Sequence, residues 1–163
     1  MAGIRIYETA IHADWIDYNG HLQDAYYGLI LSKAIDALMD RVGLDAAYRK
    51  RTGGTLYTLE MHIHFLREVK QSDTALVNLA VVGLDRKRIH AAFEILRAGE
   101  AAAAATAEIM LLHVHQDGAT VRAAPFPSDV AARLAELEAA SAGGAPIEPG
   151  SRRIELRAPA DSA

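Results

Sequence analysis

Apolar residues recur at two different spacings along the chain, and the change of spacing separates a helical segment from a strand-rich one. The strongest helical period runs from about residue 22 to residue 41. Gly43 follows this segment and supplies a stop, because glycine readily adopts the left-handed conformation that ends helices. The apolar positions of this period are Leu22, Tyr26, Leu29, Ile30, Ala34, Ala37 and Leu38. The spacing therefore predicts one long helix.

Alternating apolar and polar residues predict β-strands on both sides of this helix. A first strand is expected over residues 4–12, and four longer strands over 55–69, 74–84, 88–97 and 101–115. The alternation in the second strand changes phase near Leu59, which indicates a β-bulge. Short turns separate the long strands. We therefore expect antiparallel pairing, because tight turns cannot join parallel neighbours.

A long apolar helix needs a sheet face to cover it. The predicted fold is therefore α+β, an antiparallel sheet wrapped around one central helix, with the other face or the edges of the sheet left for a second subunit. A further amphipathic helix is predicted over residues 130–140, with Ser128 as its N-cap. We expect one domain over residues 1–140 and a weakly ordered tail over residues 141–163, which is rich in Gly, Pro and Ala.

Composition narrows the range of partners and compartments. The 163 residues carry a net charge of −4 without a dense Lys/Arg run, so nucleic acid is a poor candidate for a partner. The chain has no cysteine, which excludes disulfides and a Cys nucleophile and fits a reducing compartment. We find no signal peptide and no apolar stretch approaching the ~20 residues that span a bilayer. A cytoplasmic protein without a membrane partner is expected.

Three polar residues at alternate positions, Asp17, Asn19 and His21, lie just before the long helix. Residues two apart in an extended loop point to the same side, so these side chains can converge at the helix N-terminus. The unpaired N–H groups there can polarise a carbonyl, a carboxylate can attack it or activate water, and a His can move protons. This set suits hydrolysis of an activated acyl group. A helix cap beside a turn is the simpler alternative.

Two segments carry a resemblance to a known family. The segment DYNGHLQDAYY at residues 17–27 resembles the D-x-N-x-H-V-N-N-x-x-Y motif of the hotdog-fold acyl thioesterases. The segment FLREV at 65–69, followed by Asp73, is similar to the Y/F-L-R-P-x-x-x-G-D pattern of the 4-hydroxybenzoyl-CoA thioesterase-like group. A narrower likeness to the betainyl-CoA thioesterases of carnitine catabolism is carried by DWIDYNGH (14–21), YTLEMH (57–62), KRIH (87–90) and MLLHV (110–114).

This resemblance implies a hotdog fold and hydrolysis of a small acyl-CoA to the free acid and CoA. Betainyl-CoA is among the candidate substrates. It implies no metal or organic cofactor, and a homodimer or homotetramer with active sites at the subunit interface. Asp17 would then be nucleophile or general base, while Asn19 and His21 position water and substrate. Gln23 and Asp24 replace two Asn residues of the motif. A non-catalytic hotdog module that binds an acyl thioester or a quaternary amine is therefore the alternative.

Two departures from the family pattern leave the catalytic acid open. Glu68 stands where the second motif has proline, and His64 stands where the plant enzymes of the family have a catalytic Glu. Glu60 is the second candidate after Asp17, and it shares one strand face with His62 and His64. If that face lines a cleft between subunits, Glu60 can act as general base with His62 as its partner. A solvated outer sheet face is the alternative.

Aromatic residues gather near the first motif, and aromatic faces attract quaternary ammonium groups. Trp15, Tyr18, Tyr26 and Tyr57 are the candidate contacts for a betaine-type acyl group. Ordinary packing is the simpler explanation for Tyr26, which lies on the long helix.

Basic and titratable residues also occur on the later strands. Arg86, Lys87 and Arg88 form a basic turn that is a candidate site for the CoA phosphates, although solvated hairpin charges explain it equally well. His113 and His115 alternate on a predicted strand, and we expect both at the surface.

Overall fold

An antiparallel sheet of six strands packs against one long helix, and the computed structural model describes residues 3–142 of the chain. The strands are β1 (Ile4–Ala10), β2 (Gly54–Phe65), β3 (Thr74–Leu84), β4 (Arg88–Arg97), β5 (Ala103–Asp117) and β6 (Thr120–Ala123). The helices are α1 (Asp24–Val42), α2 (Ala46–Thr52) and α3 (Ser128–Ala142), and a 3-10 turn spans Ala13–Trp15. The predicted α+β architecture with one long helix is confirmed.

The order of strands across the sheet differs from their order along the chain. The described strands lie in the order β1-β3-β4-β5-β2, and β6 pairs with the end of β5. The tight turns after β3 and β4 join antiparallel neighbours, as predicted. β2 pairs with β5 rather than with β3, so the antiparallel pairing expected across the turn at residues 71–73 is wrong. Residues 66–73 instead carry the chain past the end of the sheet. β1 and β2 are therefore the two edges of the described sheet.

β2 carries the predicted bulge and ends earlier than its sequence pattern suggests. Its pairing with β5 shifts register between Thr58 and Glu60, which confirms the bulge at Leu59. The strand ends at Phe65 because the next two backbone N–H groups, at residues 66 and 67, both donate to the Ala104 carbonyl. Residues 66–69 consequently form a loop beside the start of α1.

The core lies between one face of α1 and the inner face of the sheet. The buried face of α1 consists of Tyr27, Ile30, Leu31, Ala34, Ile35, Leu38, Met39 and Val42. Alternate residues of β4 and β5 face it, including the fully buried Phe93 and Leu111. Each fully buried Leu, Ile or Phe side chain stabilises the fold by roughly 1.5–3 kcal/mol. Gly43 ends α1 in the left-handed conformation at φ +88°, as its position predicted.

α3 covers the part of β3 that extends beyond β1. Its buried residues Val130, Leu134 and Leu137 join the main core, which confirms the predicted helix. The Ser141 hydroxyl accepts a hydrogen bond of 3.0 Å from the backbone N–H of Val81, so α3 provides an acceptor for a backbone N–H group of β3. α3 ends at Ala142, and the remainder of the tail predicted over 141–163 lies outside the described residues. None of the helices in the described range is long and apolar enough to cross a membrane.

His113 lies in the core, so the prediction that it is at the surface is wrong. Its exposed fraction is 0%, whereas His115 is exposed as predicted. The Tyr48 hydroxyl lies 3.1 Å from His113 Nε2, and the Ala124 carbonyl lies 2.9 Å from His113 Nδ1. Desolvation lowers the pKa of His113, outweighing the carbonyl contact that raises it. Two hydrogen-bond partners explain why an imidazole is tolerated at this depth.

Candidate active site

The loop before α1 is held in one conformation by backbone hydrogen bonds. The Asp17 N–H donates to the His21 carbonyl at 2.9 Å, and Gly20 adopts φ +82° in the turn between them. Outside the turn, the Leu22 N–H donates to the Val69 carbonyl at 2.7 Å, which ties the loop to residues 66–69. The local Asn-Gly sequence makes the turn, but the long-range bond to Val69 places it.

The Asp17 carboxylate is fixed inside this turn. Its Oδ1 accepts hydrogen bonds from the backbone N–H groups of Asn19, at 2.8 Å, and His21, at 3.2 Å. The Asn19 side-chain amide lies 3.5 Å from Oδ2. Desolvation raises the pKa of Asp17, but the backbone bonds from His21 and Asn19 outweigh it, so the pKa is lowered. Asp17 is therefore ionised at neutral pH, with Oδ2 the less engaged oxygen.

His21 extends from the same turn to a carboxylate on the neighbouring loop. Its Nε2 lies 2.9 Å from Oε2 of Glu68. The two side chains are 30% and 64% exposed, so the pair is open to solvent on one side. Asp17 thus contacts Asn19 and His21 within one turn, and Glu68 contacts the His21 side chain from residues 66–69.

An open cleft of about 720 Å³ lies between this turn, the start of α1 and the end of β2. Gln23 occupies the N-cap position of α1 without a side-chain hydrogen bond to the helix, so the first turn is not capped by that residue. The helix dipole places a partial positive charge at this end of the cleft. The residues lining the cleft are Asp17, Tyr18, His21, Leu22, Gln23, Asp24, Tyr27, Phe65, Leu66, Arg67 and Glu68.

Aromatic rings line the cleft, but they are not the set that the sequence predicted. Tyr18 lines it and is 97% exposed. Tyr27 and Phe65 also line it and meet edge to face, with ring centroids 5.0 Å apart. Of the other predicted contacts, Trp15 and Tyr26 stack on each other at 5.5 Å and pack against the core.

Tyr57 and the basic turn lie towards the other end of the sheet. Tyr57 and Arg88 both pair with Leu112 of β5, seven residues along the strand from the partner of Phe65. At about 3.3 Å per residue this separates them from the cleft by roughly 23 Å. Arg88 also forms an ion pair of 2.6 Å with Asp85. Within the chain, Tyr57 and the basic turn are therefore far from Asp17.

Glu60 and His62 form a close pair outside the cleft. His62 Nε2 lies 3.0 Å from Glu60 Oε1, and the two residues line a small separate depression with His90 and Glu108. The register pairs His62 with Glu108, so the group shares the sheet face opposite to the core. Among residues 3–142, no group of three or more His, Asp or Glu side chains is arranged to hold a metal ion.

The cleft residues that were not among the predicted site residues include Tyr27, Phe65, Arg67 and Glu68. Tyr27 is the final aromatic of the first motif, and the other three belong to the second motif. The two motifs therefore contained the signal, because together they supply most of the cleft. What the sequence did not reveal is that the loop after β2 packs beside the loop before α1.

Comparisons with known proteins identify the relatives of this chain. Residues 11–134 match the family model of the thioesterase-like superfamily. The chain is 47% identical over 131 residues to betainyl-CoA thioesterase of Pseudomonas aeruginosa, which covers 80% of this chain and 81% of that protein. It is 36% identical over 156 residues to the L-carnitine dehydrogenase/betainyl-CoA thioesterase of Agrobacterium fabrum, which covers 94% of this chain and 31% of that longer protein.

A solved structure shows the same fold over nearly the full length. A protein of Pseudomonas putida KT2440 assigned to the thioesterases superposes with a TM-score of 0.80 at 40% identity, covering 98% of this chain and 99% of that one. The antiparallel sheet around one long helix is the hotdog fold, and the family match together with the betainyl-CoA thioesterase relative shows the class of an acyl-CoA thioesterase. The chain belongs to the thioesterase-like superfamily. The predicted hotdog fold, the enzyme class and the likeness to betainyl-CoA thioesterases are confirmed.

Proposed function

We propose that this thioesterase hydrolyses betainyl-CoA, a small cationic acyl-CoA, to betaine and CoA, with Asp17 as the catalytic carboxylate. The observation that carries the proposal is the placement of Asp17: its carboxylate is fixed at the rim of a cleft that opens onto the start of α1. The likeness to two betainyl-CoA thioesterases supports the choice of substrate.

The electrostatics of the cleft favour Asp17 as a nucleophile over a general base. Hydrogen bonds from the turn lower its pKa, and a strong general base needs a pKa closer to the working pH. Asp17 Oδ2 attacks the thioester carbonyl carbon, the C–S bond breaks, and CoA leaves. Water then hydrolyses the resulting mixed anhydride and regenerates the carboxylate. The Leu22 and Gln23 N–H groups already donate to the Val69 and Trp15 carbonyls, and the Ala25 N–H donates to Asp24 Oδ1. The Asp24 N–H group at the start of α1 is therefore the donor that stabilises the oxyanion formed during the attack.

The lining of the cleft suits a positively charged acyl group. Three carboxylates, those of Asp17, Asp24 and Glu68, face it together with the rings of Tyr27 and Phe65. Carboxylates and aromatic faces are the groups that bind a quaternary ammonium most favourably. The predicted contact Tyr18 belongs to this lining as well.

The CoA part of the substrate requires positive charge at the rim. Arg67 lines the cleft and is exposed, and its Nη1 donates to the Ala103 carbonyl at 2.9 Å, which holds the guanidinium in place. We infer that Arg67 contacts the CoA phosphates. The basic turn at residues 86–88 is far from the cleft of its own chain, so it can contact the CoA phosphates only from a partner subunit. Such a contact fits the proposed homodimer or homotetramer with active sites at the subunit interface. The unpaired edge of β2 supports such an assembly.

Substitution of the catalytic carboxylate tests the proposal. Asp17→Asn should lower kcat for betainyl-CoA by at least about 100-fold without unfolding the protein, because the amide cannot form the acyl intermediate. Hydrolysis is followed with a thiol-detecting reagent over a panel of betainyl-, aromatic and straight-chain acyl-CoAs. Glu60→Gln is the comparison variant, since Glu60 is the other candidate acid.

Three results would contradict the proposal. Full activity of Asp17→Asn with loss of activity in Glu60→Gln would move the catalytic role to Glu60. A wild-type preference for neutral acyl-CoAs would exclude betainyl-CoA as the substrate. Tight binding of acyl-CoA without release of CoA would favour the non-catalytic binding module.

A further inference from the structure

Glu68 is a departure from the family motif that the structure places at the site. The second motif of the related thioesterases has proline at this position, and the position of the plant enzymes' catalytic Glu is occupied here by His64. His64 lies on β2, whereas Glu68 lies on the loop that follows, with its carboxylate 2.9 Å from His21 Nε2. A carboxylate therefore reaches the motif His from another position in the chain.

We propose that Glu68 is the positioning residue for His21, and that the two residues form the proton-transfer pair of the reaction. This inference depends on the proposed function, because it assigns the proton transfers of the hydrolysis begun by Asp17. An exposed ion pair adds little to stability, so the pair has no evident structural purpose. The pair lies in the cleft that also contains Asp17, and this position gives it a chemical role.

The geometry determines which nitrogen of His21 takes part. Glu68 accepts only from a protonated nitrogen, so Nε2 carries a hydrogen in the pair and Nδ1 remains for exchange with the substrate. In the first step protonated His21 gives its Nδ1 proton to the CoA sulfur as the C–S bond breaks. In the second step neutral His21 takes a proton from the water that attacks the acyl-Asp17 anhydride. The free acid leaves, and both residues return to their starting charges.

The backbone joins this pair to the nucleophile. The N–H group of His21 donates to Asp17 Oδ1 at 3.2 Å, so one residue both holds the nucleophile through its backbone and presents the imidazole through its side chain. The other charged groups lining the cleft are Asp24 at the start of α1 and Arg67 beside Glu68, and the Tyr27 hydroxyl also lies there. These groups are unchanged when Glu68 is substituted, so a variant reports the effect of its carboxylate.

Steady-state kinetics of three variants test the proposal. Glu68→Gln should lower kcat about tenfold or more on both betainyl-CoA and a neutral acyl-CoA, with little change in KM for the neutral substrate, because the loss lies in proton transfer. Glu68→Asp should recover part of kcat. Glu8→Gln is the matched control, since Glu8 is an exposed residue of β1 outside the cleft, and it should behave like wild type.

A spectroscopic measurement tests the pair without reference to turnover. In wild-type protein labelled with ¹⁵N-histidine, the Nε2-bound proton of His21 should give a resonance protected by its hydrogen bond to Glu68. Glu68→Ala should abolish that protection while the other histidine resonances keep their positions. A resonance that Glu68→Ala leaves unchanged would show that the pair does not form in solution, and would overturn the proposal.

The outcomes separate this inference from the proposed function. A wild-type protein that hydrolyses none of the acyl-CoAs refutes the proposed function. Active wild-type protein with an unchanged kcat in Glu68→Gln refutes the role of Glu68 alone. A loss confined to betainyl-CoA and expressed in KM also overturns it, because Glu68 would then recognise the cation instead of positioning His21.

Discussion

The contact between Tyr48 and His113 allows a stability prediction whose magnitude follows from the hydrogen bonds. The Ala124 carbonyl can only accept, so His113 Nδ1 must carry the proton in this 2.9 Å contact. In the neutral ring Nε2 is then an acceptor, and the Tyr48 hydroxyl donates to it across 3.1 Å. Substitution Tyr48→Phe removes the donor and leaves the shape of the side chain almost unchanged.

The expected cost is that of one unsatisfied buried acceptor. His113 has no exposed surface and Tyr48 is 5% exposed, so water does not readily replace the hydroxyl. Leaving a buried polar group without its partner costs about 1–3 kcal/mol. For a chain of this size each kcal/mol lowers Tm by roughly 2–4 °C. The protein should still fold, because the stability of a typical domain is about 5–15 kcal/mol.

Urea unfolding at pH 7.5, followed by circular dichroism, measures this difference. The midpoint should fall with an unchanged slope, since the surface exposed on unfolding is the same. Tyr18→Phe is the control: Tyr18 is 97% exposed, so its hydroxyl is solvated in both states and the change should be within about 0.5 kcal/mol. If Tyr48→Phe costs no more than Tyr18→Phe, the buried hydrogen bond does not contribute as described.

Two further predictions follow from the structure. Burial lowers the pKa of His113 below its ordinary value of 6.5, so the folded state binds fewer protons than the unfolded state, and stability should fall as the pH drops below about 6.5. Urea unfolding at pH 7.5 and 5.5 measures this, and a free energy of unfolding that does not decrease would contradict it. Arg67→Gln should raise KM for acyl-CoA about three- to fivefold, as expected for loss of one exposed ionic contact. An acyl-pantetheine substrate, which lacks the nucleotide phosphates, should show no such increase, and an equal increase on both substrates would exclude the phosphate contact.

Much of the fold could be predicted from local patterns. The long helix, the tight-turned strands and the bulge at Leu59 each depend on residues close together in the chain, and each is confirmed within a few residues. The first motif is also local: Asp17, Asn19 and His21 converge because an Asn-Gly turn folds the chain back within five residues. These features could be read from the sequence because their energetics are decided by near neighbours.

The sequence by itself therefore determined the elements, the family and the turn that holds Asp17. Only the tertiary structure decided that β2 pairs with β5, which sends residues 66–69 to the start of α1 and brings Glu68 to His21. The same pairing sets Tyr57 and the basic turn towards the other end of the sheet. His113 is buried because Tyr48 and Ala124 satisfy both of its nitrogens. Each of these contacts joins residues distant in the chain, and side-chain periodicity carries no information about which distant residue will be the partner.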